Sequence, residues 1–187
     1  MVWESWYWKL RLKDLVSEIE KLAVQPDASE LDISNLEIAT FTGFFLIRKL
    51  IEAKTKLSHA TENQQVACEV APKKTGTPLV DVMNRFHTHE LYELDGFNAA
   101  RFPLRRICNI FVHSAFLWMV YDVDGYLEGE GIITGVHLTS TYDKEKLLYC
   151  VSIEEILRLF RSVIDDDMTR LEMYRDPSTN EMKVKKG

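Results

Sequence analysis

The segment Phe102-Pro103-Leu104-Arg105-Arg106-Ile107-Cys108-Asn109-Ile110-Phe111-Val112-His113-Ser114-Ala115-Phe116-Leu117-Trp118-Met119 organises the rest of this 187-residue chain. Pro103 suits a first helical position, where its missing N–H has no intrahelical partner to lose. Leu104, Ile107, Cys108, Phe111, Val112 and Ala115 recur at three- and four-residue spacing. The apolar run from Ala115 to Tyr121 covers nearly the whole circumference of a helix. The pattern therefore predicts one long core helix running toward Tyr121. Arg106, Asn109 and His113 interrupt it. At about 100° per residue they fall within roughly 60° of one another, a polar stripe on one face. Each such group buried without a partner costs about 1–3 kcal/mol, and the arginine more. A carboxylate of this chain, a second copy or a phosphate must meet the stripe.

Upstream, Leu12, Leu15, Val16, Ile19, Leu22 and Ala23 mark an amphipathic helix ending near Pro26. A second core helix, capped by Asp32 or Ser34, runs through Leu57. On it Arg48 and Glu52 are spaced to form an ion pair, the expected role. Were Arg48 instead to face Arg106, it would add charge to a phosphate site. The Trp3-Glu4-Ser5-Trp6-Tyr7-Trp8 cluster suits a partner surface or a cap on the domain's own core, and the cap is expected because tryptophan is usually largely buried.

Residues 59–77 turn polar and read as an insertion, with Val66 to Val70 and Leu79 to Val82 as short strands. In His87-Thr88-His89-Glu90 the two imidazoles share a face on a strand and diverge on a helix, and no H-E-x-x-H or C-x-x-C spacing supports a metal. Asp122-Val123-Asp124-Gly125 is a turn signal without calcium-loop spacing, and Glu128-Gly129-Glu130-Gly131 is no phosphate loop. Ile132 to Ser140 and Leu147 to Ser152 read as a hairpin. Ser152-Ile153-Glu154-Glu155 opens a final helix with Ile156, Leu157, Phe160 and Val163 inward. The carboxylates of Asp165-Asp166-Asp167 point in different directions on a helix and do not converge on a cation.

The formal net charge of −6 argues against a surface broadly coated for nucleic acid, so any such contact is local. Candidate basic clusters lie at Arg48-Lys49 with Lys54 and Lys56, at Lys73-Lys74, and at Arg101, Arg105 and Arg106. Three isolated cysteines suit a reducing interior, and no signal core or membrane-length apolar run is present, so a cytoplasmic setting away from the membrane is expected.

Arg106, followed after six residues by His113 with Asn109 between them, resembles the Arg-x(4 to 6)-His signature of HEPN domains. These are small helical proteins, many of them metal-independent ribonucleases of toxin-antitoxin and antiviral systems. The resemblance implies a mainly α fold: a HEPN-like helical bundle with a small antiparallel β-hairpin insertion before the last helix. One helical domain would span 1–175, with the hairpin at about 131–151 and a polar tail at 176–187. It further implies that two copies meet as a homodimer through the Arg106–His113 helix. His113 would then act as base or acid on the ribose 2′-hydroxyl and leaving oxygen, Arg106 would hold the phosphate, and Asn109 would position either. Arg105, Arg101 and His87 would contact the RNA substrate, with no metal or cofactor required. The rival expectation is a noncatalytic interaction protein with a protein partner, in which the stripe satisfies groups of its own core.

Overall fold

Two long helices open the chain in the computed structural model, which describes residues 4–26, 28–122, 131–168 and 170–186. Helix α1 (Ser5–Ala23) buries Leu12, Leu15, Val16, Ile19, Leu22 and Ala23, the one face that the apolar spacing marks. Helix α2 (Glu30–Glu52) starts earlier than expected, because Ser29 and Asp32 form a reciprocal capping box. It ends at Glu52, and Lys54 turns the chain away at φ 59°. A short turn of helix, α3 (His59–Glu62), leads into strand β1 (Gln65–Pro72).

The rest is not a helical bundle. Strands β2 (Asn98–Pro103), β3 (Ser114–Tyr121), β4 (Ile133–Ser140) and β5 (Leu147–Ser152) join β1 in an antiparallel sheet of order β2-β1-β5-β4-β3. The expected mainly α, HEPN-like bundle is therefore corrected to a mixed α and β architecture. The long core helix is corrected with it: helix α5 covers only Leu104–Val112, Pro103 closes β2, and the chain passes through His113 directly into β3. Circumferential apolarity from Ala115 to Tyr121 has another cause than burial in a bundle. Both faces of β3 are covered, Leu117 and Met119 by the helices and Phe116 and Trp118 by a second apolar cluster. A strand buried on both sides and a buried helix leave the same continuous apolar run.

The hairpin β4–β5 and helix α6 (Ile153–Ile164), capped by the Ser152 hydroxyl, lie where the sequence places them. Helices α5 and α6 pack on the sheet, and α1 and α2 pack over them. Phe44 of α2 stacks on Phe111 of α5 with ring centroids 3.8 Å apart, and meets Phe160 of α6 edge-on at 5.2 Å. Residues 73–97 cover part of the opposite sheet face, burying Val80, Leu91 and Tyr92 against Ala71, Phe116 and Leu148. Helix α4 (Thr88–Leu91) lies in this segment, and Leu79 to Val82 is not a strand. The polar C-terminal segment supplies the second strand of a hairpin, β6 (Leu171–Arg175) with β7 (Met182–Lys186). The expected turn at 122–125 and the run at 128–131 fall largely outside the described residues. Trp3 does too, whereas Trp8 packs on the core and Trp6 and Tyr7 are exposed. No described helix is long and apolar enough to cross a membrane.

Candidate functional site

Helix α5 has a sharply divided surface. Leu104, Ile107, Cys108, Ile110 and Phe111 are buried, so Arg105, Arg106, Asn109 and His113 are left facing water. The polar stripe exists, but it lies on the outside of a one-sided helix instead of inside a core seam. Its solvation removes the burial cost that made a partner obligatory.

Each member has its own surroundings. The Arg105 guanidinium pairs with Glu62 at 3.3 Å. Arg106 lies over the Phe102 ring, 4.4 Å from its centroid, and donates to the Tyr149 hydroxyl at 3.0 Å. Tyr149 in turn donates to Asp143 at 3.1 Å, so Arg106 ends an internal polar chain. Asn109 is exposed between them.

His113 stands at the joint between helix and strand. Its N–H donates to Asn109 O, and its carbonyl accepts from the Thr141 N–H and hydroxyl, so α5 and the turn after β4 hold its backbone. The ring lies edge-on to exposed Tyr142. From α2, Arg48 Nη1 donates to His113 Nε2 at 3.1 Å, while its Nε donates to Glu52 Oε1 at 2.8 Å. Arginine has no acceptor, so Nε2 must present its lone pair to the guanidinium. Lys49 Nζ holds the other Glu52 oxygen at 2.8 Å. Together Lys49 and Arg48 hold the Glu52 carboxyl at about 2, below the usual carboxylate range. The row Lys49–Glu52–Arg48–His113 thus joins α2 to α5. Arg48 makes the expected ion pair with Glu52 and also reaches His113 at the end of the stripe. The α2·α5 packing that brings it there is a tertiary fact that periodicity within one helix does not carry.

Two expected contacts are not brought to the stripe. Arg101 alternates with Phe102 on β2, and Phe102 faces the helices, so Arg101 faces the other side of the sheet. It lines a cavity of about 1160 Å³ bordered by α6, with Glu155 and Arg158. His87 precedes α4 in the segment that packs on the sheet face away from the helices, exposed and 3.6 Å from Glu90 Oε1. His89 shares that carboxylate, also at 3.6 Å, and no group of three metal-ligating side chains occurs among the described residues.

Other reactive groups are muted. Burial pushes the Cys108 thiol up to about 12, and burial, with each thiol's neighbour charges, raises Cys68 and Cys150 to about 11, so none is a ready thiolate at neutral pH. Burial also lowers His137 to about 4, leaving it a neutral ring stacked 5.3 Å from Phe97. His113 is therefore the histidine that combines exposure with a neighbouring arginine. No family model matches the chain, and neither a curated protein nor a solved structure matches it.

Proposed function

We propose that the chain is a metal-independent endoribonuclease, with His113 as the proton-transfer residue and Arg48, more than Arg106, as its phosphate-binding partner. One observation carries this reading: an exposed imidazole whose Nε2 accepts from a guanidinium at 3.1 Å. In the reaction, Arg48 turns from Nε2 onto the phosphate and frees the lone pair. His113 takes the proton of the ribose 2′-hydroxyl as the O2′–P bond forms. The P–O5′ bond breaks and the departing oxygen takes up a proton, leaving a cyclic phosphate and a 5′-hydroxyl. A second copy facing α5 supplies the imidazole that delivers this proton, which gives the exposed stripe its other wall. Asn109 is placed to hold the substrate between Arg106 and His113. Such an activity in a cytoplasmic toxin or defence protein agrees with its three free thiols.

Incubating the protein with mixed single-stranded RNA in EDTA, beside His113→Ala, tests this. Cyclic-phosphate ends that vanish in the variant support the assignment, and equal cleavage by both proteins overturns it.

A second reading has its own support. Arg106 is satisfied internally by Phe102 and Tyr149, as in a structural network, and Trp6 and Tyr7 are exposed. Absence of any cleavage would favour this noncatalytic interaction module, with partner capture through the exposed aromatics as its measure.

A further inference from the structure

A cavity of about 840 Å³ lies between α1 and the end of α2. Trp8 and Phe45 supply two aromatic walls, and Lys49, Lys54 and Lys56 supply ammonium groups. Its volume falls within the roughly 300–1,000 Å³ of ordinary ligand sites. The larger cavity, bordered by α6, lacks this character, because no aromatic side chain lines it.

We propose that the Trp8–Phe45 cavity binds an unstacked base of single-stranded RNA, with the neighbouring lysines on its phosphates. This rests on the ribonuclease reading and names where the strand lies beside the scissile bond. The chemistry is that of a base stacked on a ring with cations along the backbone. Phe45 is 44 % exposed, so its ring has surface to offer, and Lys49 Nζ already sits 5.6 Å from its centroid. Between residues 48 and 56 four cations face one carboxylate, a local reversal of the chain's net acidity. That carboxylate, Glu52, lines the cavity and also holds Arg48 beside His113. The cavity and the imidazole are thus joined through two hydrogen bonds. A strand seated in the cavity enters the proposed cleavage site without leaving the surface of α2. A duplex is excluded, because its bases are stacked inward and do not reach the rings.

The test is fluorescence anisotropy with a labelled, unstructured single-stranded RNA, using His113→Ala as the parent so that the probe is not cut. Phe45→Ala and Lys54→Gly are made in that parent. Phe45 is half exposed, and Lys54 occupies a left-handed conformation where glycine is unstrained, so both variants fold. The expected result is at least about fivefold weaker binding for Phe45→Ala. Lys54→Gly should flatten the salt dependence by about one phosphate contact. The same RNA annealed to its complement should bind more weakly than the single strand. Affinities equal across parent and variants, or a duplex bound as well as the single strand, overturn the cavity even if the wild-type chain cleaves RNA. Weakened binding in both variants without wild-type cleavage keeps the cavity and removes the nuclease.

Discussion

Gly43 of α2 lies against the ring of Phe160: a Cβ built at position 43 would stand 2.1 Å from Phe160 Cε2 and Cζ. Glycine in a helix interior costs about 1 kcal/mol relative to alanine, so this contact outweighs local propensity. Phe160 is fully buried and wedged edge-on against Phe44, and has nowhere to retreat. Gly43→Ala should therefore destabilise the fold by about 1–3 kcal/mol, against the usual direction for such a change. Urea unfolding checks it, and Phe160→Leu in the same chain should restore part of the loss.

Arg48 and Arg106 are expected to separate function from stability. Removing Arg106 deletes a hydrogen bond to Tyr149 and a contact with the Phe102 ring, worth about 1–2 kcal/mol together. Arg106→Ala should lower the melting temperature and leave RNA cleavage nearly unchanged. Arg48→Ala loses an i,i+4 ion pair worth about 0.3–0.5 kcal/mol, yet should lower cleavage about 100-fold if it holds the phosphate. Parallel melting curves and cleavage rates read both; the opposite ordering would return the phosphate role to Arg106.

Asp166 ties the end of α6 to two distant segments. Its carboxylate accepts from the Ser58 N–H at 2.9 Å and the Thr61 hydroxyl at 2.7 Å, and Lys9 donates to its carbonyl oxygen. Burial raises this carboxyl, but the Ser58 and Thr61 bonds and the Lys9 charge outweigh burial and hold it below its ordinary value. A depressed carboxyl stabilises the fold above its unfolded pKa, and the contribution is lost as pH falls below that value. Asp166→Ala should cost about 3 kcal/mol at neutral pH. In denaturant titrations the gap to wild type should narrow in acid.

His137 predicts a second acid sensitivity, at milder pH. Its folded value of about 4 lies below the ordinary 6.5, because burial penalises the imidazolium. Between these values the unfolded chain binds more protons, so stability rises with pH across the window. It is fully present above pH 6.5 and falls as pH drops toward 4, by about 3 kcal/mol at most. His137→Gln should flatten that slope in unfolding curves taken from pH 7 to pH 4.5.

Much of this was legible in sequence where one local signal sufficed. The inward residues of α1 and α6, the β4–β5 hairpin and the Ser152 cap follow from spacing and capping chemistry within single elements. The fold class was not legible, because Ser114–Tyr121 is apolar on both faces and reads identically as a buried helix turn. That misreading turned a solvated stripe into a buried one. Within the candidate site, Arg106, Asn109 and His113 do share a face, as their spacing requires. The Arg48–His113 contact joins residues 65 positions apart and depends on α2 packing against α5, which no window of sequence contains.

Strand β1 has a partner on each side: β2, and β5 through Glu69 opposite Cys150, roughly eighty residues further along. During synthesis β1 is therefore made long before its second side can be paired, because the central strand β5 is the last of the five to emerge. Until β5 emerges, β1 offers unpaired amides and carbonyls beside the buried Val66 and Cys68. Closure of so long a loop precedes any reward from pairing, which places this chain among slow, topology-limited folders. Its nascent state is the one most open to mispairing with a second chain.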